Sequence, residues 1–338
     1  MLRYIILLLL FNLELHAQER NDHPFIQLVW YNVENAFDTI DSPITHDAEY
    51  LPQSDKKWTS RRYWTKLNRI SKVLRNATGW NPPDIIALGE VENADVLYHI
   101  STRPALLGAN YRVIHYESPD YRGIDVGILY NPNVIQMFAS RAIPIDFPNH
   151  PQKRTRDLLL ASGTLTSGDT LHIIAAHWPS RRGGKEHSEP FRIRAAQICA
   201  DVVDSLARLS QNLNLIITGD FNDGPHDASI DTLMQARRVK LNNPMREMPT
   251  TLGTHRYGAE WEYLDQWMYS ENLQNGPIQV DTTYIYYNPS MIEPVTSLPG
   301  FRPKRSWNGN FFTDGYSDHL PIVLILNDRT QGENNSGH

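Results

Sequence analysis

Short apolar runs alternate with stretches of helical periodicity along the chain from residue 25 onward. Apolar residues recur at three- and four-residue spacing over 61–76 and 192–209, which predicts two helices. Runs rich in Ile, Leu and Val predict strands at residues 26–31, 84–88, 126–130, 158–165, 171–176, 213–218, 262–269 and 320–326. Most of these strands are apolar throughout, so both of their faces are expected to be buried. This pattern indicates mixed sheets covered by helices.

A single domain is predicted for residues 22–327, because no repeat period, low-complexity linker or sharp change of composition interrupts them. Two stretches that contain prolines and glycines, 242–258 and 289–315, are interpreted as surface loops of that domain. The polar residues 328–338 are predicted to form a disordered tail.

The first residues have the pattern of an export signal. Met1-Leu2-Arg3 gives a short positive start, residues 4–13 are almost continuously apolar, and Leu15-His16-Ala17 precedes Gln18. This order predicts a signal peptide over residues 1–17 and a secreted or periplasmic protein. The apolar run is short for a membrane span, so no span is expected after cleavage; an uncleaved anchor is the alternative.

Composition narrows the function classes. Charged residues make up 21% of the chain and aromatic residues 10%, which is typical of a folded globular protein. The net charge of −6 argues against a broadly basic surface that coats nucleic acid. It leaves a phosphate substrate open, because a bound metal supplies positive charge locally. The lone cysteine, Cys199, excludes an internal disulfide and is interpreted as a buried apolar residue of a helix.

Polar side chains stand at the ends of several predicted strands. They are Asn32, Asn35, Glu90, His177, Asp220, Asn222, Asp265, Asp318 and His319. Each one alone has an ordinary alternative, such as an Asx turn at Asp220. Six such elements in separate segments favour one common site, because ligand sites of open sheets lie at strand ends. Carboxylate and amide oxygens suit a hard cation, and the absence of cysteine ligands argues against structural zinc.

The motifs in which these residues stand resemble those of the endonuclease/exonuclease/phosphatase family. The resemblance rests on Tyr-Asn-Val-Glu-Asn (31–35), Gly-Asp-Phe-Asn (219–222) and Ser-Asp-His-Leu-Pro (317–321). That family includes type I deoxyribonuclease, abasic-site endonucleases, inositol polyphosphate 5-phosphatases and neutral sphingomyelinases. The resemblance implies a four-layer α/β sandwich, with two packed mixed β-sheets flanked by helices. It also implies a phosphoesterase that depends on a divalent metal.

The resemblance implies a metal set and a substrate contact around the first strand. Glu90 and Asp318 resemble acidic residues at the metal, and Asn32 resembles the asparagine that supports metal and phosphate. Asn35 is a candidate substrate-binding residue beside them. Mg²⁺ is the expected cofactor, with Mn²⁺ or Ca²⁺ as alternatives, since Mg²⁺ uses few carboxylates and keeps waters.

The same resemblance assigns catalytic roles. Asp220 and Asn222 resemble the pair that orients the attacking water, and Asp265 resembles the aspartate that hydrogen-bonds the catalytic histidine, here His319. His177 resembles the second histidine of the deoxyribonuclease branch. The sequence leaves open which histidine acts as acid, base or phosphate ligand.

The loop after His177 carries Arg181 and Arg182 beside two glycines, which indicates a loop that grips phosphate. A solvated run of charges is the alternative. Arg122 is a similar candidate, and Asp125 is a candidate acidic partner of His177.

The sequence therefore predicts a secreted phosphodiesterase, endonuclease-like, with nucleic acid as its expected partner. A phosphomonoesterase or a lipid phosphodiesterase of the same fold is the alternative, although polar loops argue against lipid. A binding module without chemistry is disfavoured, because every expected catalytic residue is present. No protein partner is indicated.

Overall fold

The computed structural model describes residues 25–79, 81–295 and 299–329. The predicted signal peptide lies outside the described residues, and so does the predicted tail beyond Arg329.

Strands dominate the described chain. In chain order they are β1 (Phe25–Ala36), β2 (Ile85–Val91), β3 (Arg112–His115), β4 (Asp125–Tyr130), β5 (Ile135–Ile143), β6 (Leu158–Leu165), β7 (Thr170–His177), β8 (Leu215–Asp220), β9 (Leu241–Asn242), β10 (His255–Tyr257), β11 (Glu260–Glu262), β12 (Asp265–Ser270), β13 (Ile278–Ile285), β14 (Ile292–Pro294), β15 (Phe301–Pro303), β16 (Trp307–Asn308), β17 (Phe311–Phe312) and β18 (Ile322–Asp328). The helices are α1 (Ser60–Ala77), α2 (Ala94–Ser101), α3 (Lys185–Ala207), α4 (Ala228–Met234) and α5 (Asn272–Asn275).

Two six-stranded sheets contain most of these strands, in the orders β13-β18-β1-β2-β4-β3 and β5-β6-β7-β8-β12-β9. Each sheet has one parallel pair near its centre, β1 with β2 and β7 with β8, while the neighbouring pairs are antiparallel. The sheets are therefore mixed, as the sequence predicts. The carboxyl ends of the two parallel pairs carry most of the predicted site residues.

In the part of the chain that the structure describes, three apolar layers pack the sheets and helices together. One lies between the first sheet and helices α1 and α2, and it includes Val29 and Leu67. A second lies between the two sheets, around Trp30 and Trp267. The third, which contains Cys199, packs the second sheet against α3 and α4. Helices, sheet, sheet and helices thus form the four-layer α/β sandwich, and the predicted fold class is confirmed.

The sequence located the buried elements but not the half-exposed ones. Helix α1 and the hairpin of β6 and β7 lie where they were predicted, whereas α3 begins at Lys185, before the predicted start at Arg192. The predicted strand 262–269 is two strands, β11 and β12, separated by Tyr263 and Leu264. Strand β5 was missed because its residues are mostly half-buried or exposed and give no apolar run. Among the described residues, no helix is long and apolar enough to cross a membrane.

Candidate active site

Strand register brings three predicted site residues side by side. Asp220, the last residue of β8, is paired with His177 of the parallel strand β7 and with Asp265 of the antiparallel strand β12. The apolar body of β8 buries it between both neighbours, and Asp220 is 2% exposed. Sheet pairing alone therefore assembles this part of the site from segments far apart in sequence.

The Asp220 carboxylate is the centre of the arrangement. Its Oδ2 accepts a hydrogen bond from Asn32 Nδ2 at 3.0 Å, and its Oδ1 accepts one from the Asn222 backbone N–H at 2.9 Å. The Nε2 atoms of His177 and His319 lie 3.4 Å and 3.8 Å from the same Oδ2. Burial raises the pKa of Asp220 to about 7, since the charged form loses its hydration. Near neutral pH this group can both hold and release a proton.

His319 is oriented from behind by Asp265. Its Nδ1 lies 2.6 Å from Asp265 Oδ2, and the other carboxylate oxygen accepts a hydrogen bond from Trp30 Nε1 at 2.7 Å. Burial disfavours the imidazolium, but the charges of Asp265 and Asp220 outweigh it and raise the pKa of His319 well above its ordinary value. These charges favour the protonated form of His319, whose Nε2 lies 3.8 Å from Asp220 Oδ2.

His177 has the opposite electrostatic surroundings. Burial lowers its pKa well below the ordinary value, and the positive charges of Arg156 and Arg122 lower it further. Its Nδ1 is buried and has no hydrogen-bond partner among the described residues. The site thus pairs a neutral histidine with a charged one on the two sides of one carboxylate.

Left-handed backbone marks the same edge of the sheets. Four residues there have positive φ without being glycine: Glu34 (53°), Asn35 (54°), Glu90 (62°) and Asn222 (52°). Such conformations are uncommon outside glycine and accumulate at functional sites. The β1–β2 pairing shifts register between Asn32 and Ala36, and the β2–β4 pairing shifts at Gly89–Val91. These bulges redirect the ends of β1 and β2 so that Asn35 N–H donates to Glu90 Oε2 at 2.9 Å.

Asp318 belongs to a charged network that the sequence analysis missed. Arg305 Nη2 lies 3.0 Å from Asp318 Oδ2, and Arg305 Nε lies 3.2 Å from Glu34 Oε1. The buried Lys66 donates to Ser306 Oγ at 2.6 Å, and Ser306 N–H donates to Glu34. The signal available in the sequence was Glu34 itself, a third polar residue in the motif between Asn32 and Asn35.

The residues present fit a hard divalent cation. Glu90 is partly exposed and uses one oxygen for Asn35, so its other oxygen suits Mg²⁺, which prefers carboxylate oxygens and keeps several waters. A tighter group of possible ligand atoms comprises Asp220, Asp265 and His319. Both oxygens of Asp265 are already engaged there, so we interpret this group as a hydrogen-bonded relay.

The two arginines predicted to bind substrate differ in their surroundings. Arg181 Nη1 lies 2.5 Å from Glu262 Oε1, its Nη2 lies 3.5 Å from Asp227 Oδ2, and its Nε donates to the Asn222 carbonyl at 2.7 Å. Carboxylates therefore neutralise Arg181, which holds the backbone of Asn222. Arg182 is exposed on the turn that precedes α3.

Asp125, the candidate acidic partner of His177, contacts other residues in the described structure. Its carboxylate lies 3.1 Å from His115 Nε2 and accepts a hydrogen bond from Ser118 N–H at 3.0 Å. The residue starts β4 and is paired in register with Val91 at the end of β2, and its side chain contacts β3 and the loop between β3 and β4.

The chain belongs to the endonuclease/exonuclease/phosphatase family, because the model of that family matches residues 27–328. Its fold is accordingly that of a class of phosphoester hydrolases, and this family is known to depend on divalent metals. Comparison with curated proteins gives no significant sequence match.

Several solved structures share the fold. A truncated TDP2 from Caenorhabditis elegans is 16% identical, with a TM-score of 0.55 over 89% of this chain and 97% of that one. A mannosyl-6-phosphatase from Bacteroides thetaiotaomicron is 15% identical, with a TM-score of 0.57 over 89% and 99%. The human Nocturnin catalytic domain with bound sulfate is 17% identical, with a TM-score of 0.55 over 90% and 94%. At these identities the likeness establishes the fold alone.

Proposed function

We propose that the protein is an exported phosphodiesterase that uses Mg²⁺ and cleaves nucleic acid. The observation that carries the proposal is the Asp220 carboxylate, held by Asn32 and Asn222 and flanked by one charged and one neutral histidine. A structure of TDP2 from D. rerio, which shares this fold, contains a single-strand DNA product. That neighbour makes nucleic acid the first substrate to test.

In this mechanism Asp220 accepts a proton from water while the water oxygen bonds to phosphorus and the bond to the leaving oxygen breaks. Its pKa, raised by burial to about 7, matches that task near neutral pH. The His319 imidazolium stabilises negative charge on the phosphoryl oxygens, and Asp265 keeps it protonated and oriented. The neutral His177 offers a further hydrogen bond to the phosphoryl group. The leaving oxygen takes its proton from solvent.

A divalent cation bound by Glu90 and Asp318, with Asn32 nearby, would neutralise the phosphate and polarise its oxygens. The positions of Glu90 and Asp318 would determine where the cation binds. Glu90 is fixed by Asn35, and Asp318 is fixed by Arg305. The phosphate is then expected between the Glu90 side and the Asp220 side of the edge.

Phosphomonoesters of small molecules are the second candidate. The observation that favours them is the pairing of Arg181 and Arg305 with carboxylates, which leaves no continuous cationic path for a long polyanion along these residues. The mannosyl-6-phosphatase that shares this fold acts on a sugar phosphate by its name. Both candidates use the same Asp220 centre.

Purified protein with Mg²⁺, Mn²⁺ or Ca²⁺ tests the proposal against plasmid DNA, RNA, bis-p-nitrophenyl phosphate, p-nitrophenyl phosphate and mannose 6-phosphate. We expect metal-dependent hydrolysis of the diesters that excess chelator abolishes. His319→Ala and Glu90→Ala should each lower kcat/KM by about a hundredfold or more, as loss of acid–base or charge stabilisation does.

His226→Ala and Glu186→Ala are matched controls at exposed positions and should retain full activity. Full activity of Glu90→Ala, or of the wild type in excess chelator, would contradict the metal assignment. Hydrolysis of monoesters alone would replace the first candidate by the second.

A further inference from the structure

The loop of residues 116–124, between β3 and β4, is tied to the end of β7. Asp120 Oδ2 pairs with Arg156 Nη1 at 3.0 Å, and Arg156 Nε donates to the His177 carbonyl at 3.1 Å. Both Asp120 and Arg156 have largely buried side chains, exposed by 8% and 5%. The 116–124 loop is therefore linked through Asp120 and Arg156 to the backbone of a predicted catalytic histidine.

A second set of contacts fixes the loop from the other side. His46 N–H donates to the Tyr121 carbonyl at 3.3 Å. Gly123 has a φ of +75°, and a Cβ there would lie 2.6 Å from Thr45. Glycine is needed at this point because of both the left-handed backbone and the close approach of Thr45. The backbone of the 116–124 loop is thus held in place on both sides.

Two side chains project from this fixed backbone. Tyr121 is 67% exposed, and the Arg122 side chain is 38% exposed. The Tyr121 ring stacks on the exposed ring of His46, with centroids 4.0 Å apart and planes 16° apart. This pair of rings is preformed and open to solvent, and it lies next to Arg122. It therefore offers a flat surface on which a planar group can stack.

Arg122 is less tightly paired with carboxylates than Arg181. Its Nε lies 3.8 Å from Asp120 Oδ1, while Arg156 occupies the other oxygen of that carboxylate at 3.0 Å. The guanidinium groups of Arg122 and Arg156 thus share the Asp120 carboxylate, and Arg122 makes the longer of the two contacts. Arg181, by contrast, faces the carboxylates of Glu262 and Asp227. Arg122 is therefore better placed than Arg181 to bind an anionic ligand.

We propose that Arg122 and the ring pair Tyr121–His46 form a subsite for one nucleotide unit. Arg122 binds the phosphate and the ring pair stacks on the base, since arginine matches phosphate geometry and every base offers a flat face. The inference rests on the proposed phosphodiesterase function and adds its substrate class, a phosphate ester that carries a planar ring.

Calorimetric binding of thymidine 5′-monophosphate and of inorganic phosphate tests the subsite. Tyr121→Ala should weaken binding of the nucleotide about tenfold, the effect expected of one lost stacking contact, and leave phosphate unchanged. Arg122→Ala should weaken binding of both ligands, and Arg122→Lys should restore part of the affinity. Tyr121→Phe keeps the ring and should bind like the wild type.

A kinetic test uses two diesters with the same leaving group, p-nitrophenyl thymidine 5′-phosphate and methyl p-nitrophenyl phosphate. Tyr121→Ala should raise KM for the thymidine ester alone, whereas Arg122→Ala should raise KM for both. Arg194→Ala and Tyr98→Ala are matched controls, because Arg194 is 33% exposed in its side chain and paired with one aspartate, and Tyr98 is 56% exposed.

The outcomes separate the two proposals. Equal nucleotide affinity in Tyr121→Ala and the wild type, with unchanged unfolding midpoints, would overturn the subsite whatever the activity. Tyr121-dependent nucleotide binding by a protein that hydrolyses neither ester would support the subsite and overturn the phosphodiesterase function. Equal losses for both ligands in Tyr121→Ala would mean that the ring only holds the loop.

Discussion

Asp157, just before β6, is half-buried, and its Oδ1 is buried with no hydrogen-bond partner in the described part of the chain. Burial, followed by the negative charge of Asp125, raises the pKa of Asp157 from 3.8 to about 6. Between pH 3.8 and about pH 6, Asp157 keeps its proton in the folded protein but has lost it in the unfolded chain. The free energy of unfolding contributed by this group therefore falls as pH rises from about 4 to about 6.

Asp157→Asn removes the loss of stability that ionisation of buried Asp157 causes. The amide is neutral at every pH, and its oxygen can still accept the Ile145 N–H. We expect the variant to match the wild type near pH 4 and to be more stable by about 1 kcal/mol at pH 7, after a reduction for solvent screening of this half-exposed group. Urea denaturation at both pH values measures the difference. An equal gap at pH 4 and pH 7 would mean that ionisation is not the cause.

Among single residues, those that stand in short sequence motifs could be predicted from the sequence. Asp220, Asn222 and His319 follow or precede apolar strands, and the structure brings them together. The contacts of Lys66 with Ser306 and of Arg305 with Glu34 could not be predicted, because the partners lie more than two hundred residues apart in the chain. The sequence predicts a phosphate-binding role for Arg181 and Arg182, but it does not show that Arg181 pairs with Glu262 from another segment.

At the scale of elements, the pairing of β7 and β8 depends on a residue without a side chain. Gly219 lies opposite Ala176, and a Cβ on Gly219 would stand 2.1 Å from the Ala176 carbonyl oxygen. Backbone atoms cannot yield as a flexible side chain can, so the two strands would have to separate. The separation would move Asp220 away from His177, which lies directly opposite in register.

Gly219→Ala should therefore lower the free energy of unfolding by at least about 2 kcal/mol and reduce metal-dependent activity in the protein that remains folded. Denaturant unfolding and the diester assay measure the two effects. Gly108→Ala is the matched control, because a Cβ there meets nothing within 4 Å. A stable and fully active Gly219→Ala would show that the strands adjust at no cost.

Elements that are buried on both faces were predictable, whereas those at the edges were not. Strand β8 is buried along its whole length and reads as one apolar run. The edge strand β5 pairs with β6 only and contains polar and exposed residues. It is recognised as a strand by its hydrogen bonds to β6, because its side chains show no apolar pattern. The loops predicted at 242–258 and 289–315 contain the strands β10, β14 and β15, whose pairing is too short to leave a periodic pattern.

At the scale of the whole molecule, the fold class followed from the alternation of apolar strands with helices, but the strand order did not. The order in each sheet puts a parallel pair between antiparallel neighbours, and this choice makes the ends of β1, β2, β7 and β8 converge. That order is defined by pairings between strands far apart in the chain, which a local sequence pattern does not record. The site is thus a property of topology as much as of motifs.

Export is the remaining prediction for the whole chain, and it rests on the sequence of residues 1–17. Expression of the full chain in a Gram-negative host should give a mature protein that begins at Gln18, measured by N-terminal sequencing and intact mass. Leu8→Arg should block export, because a charge interrupts the apolar run that the export machinery recognises, whereas Glu19→Gln beyond the cleavage point should have no effect. The exported protein needs no oxidising compartment to fold, since its one cysteine is buried in the core between β8 and α3. Its unfolding midpoint should therefore be the same with and without reductant. For the export prediction, an exported protein that still begins at Met1 would contradict cleavage of the signal peptide.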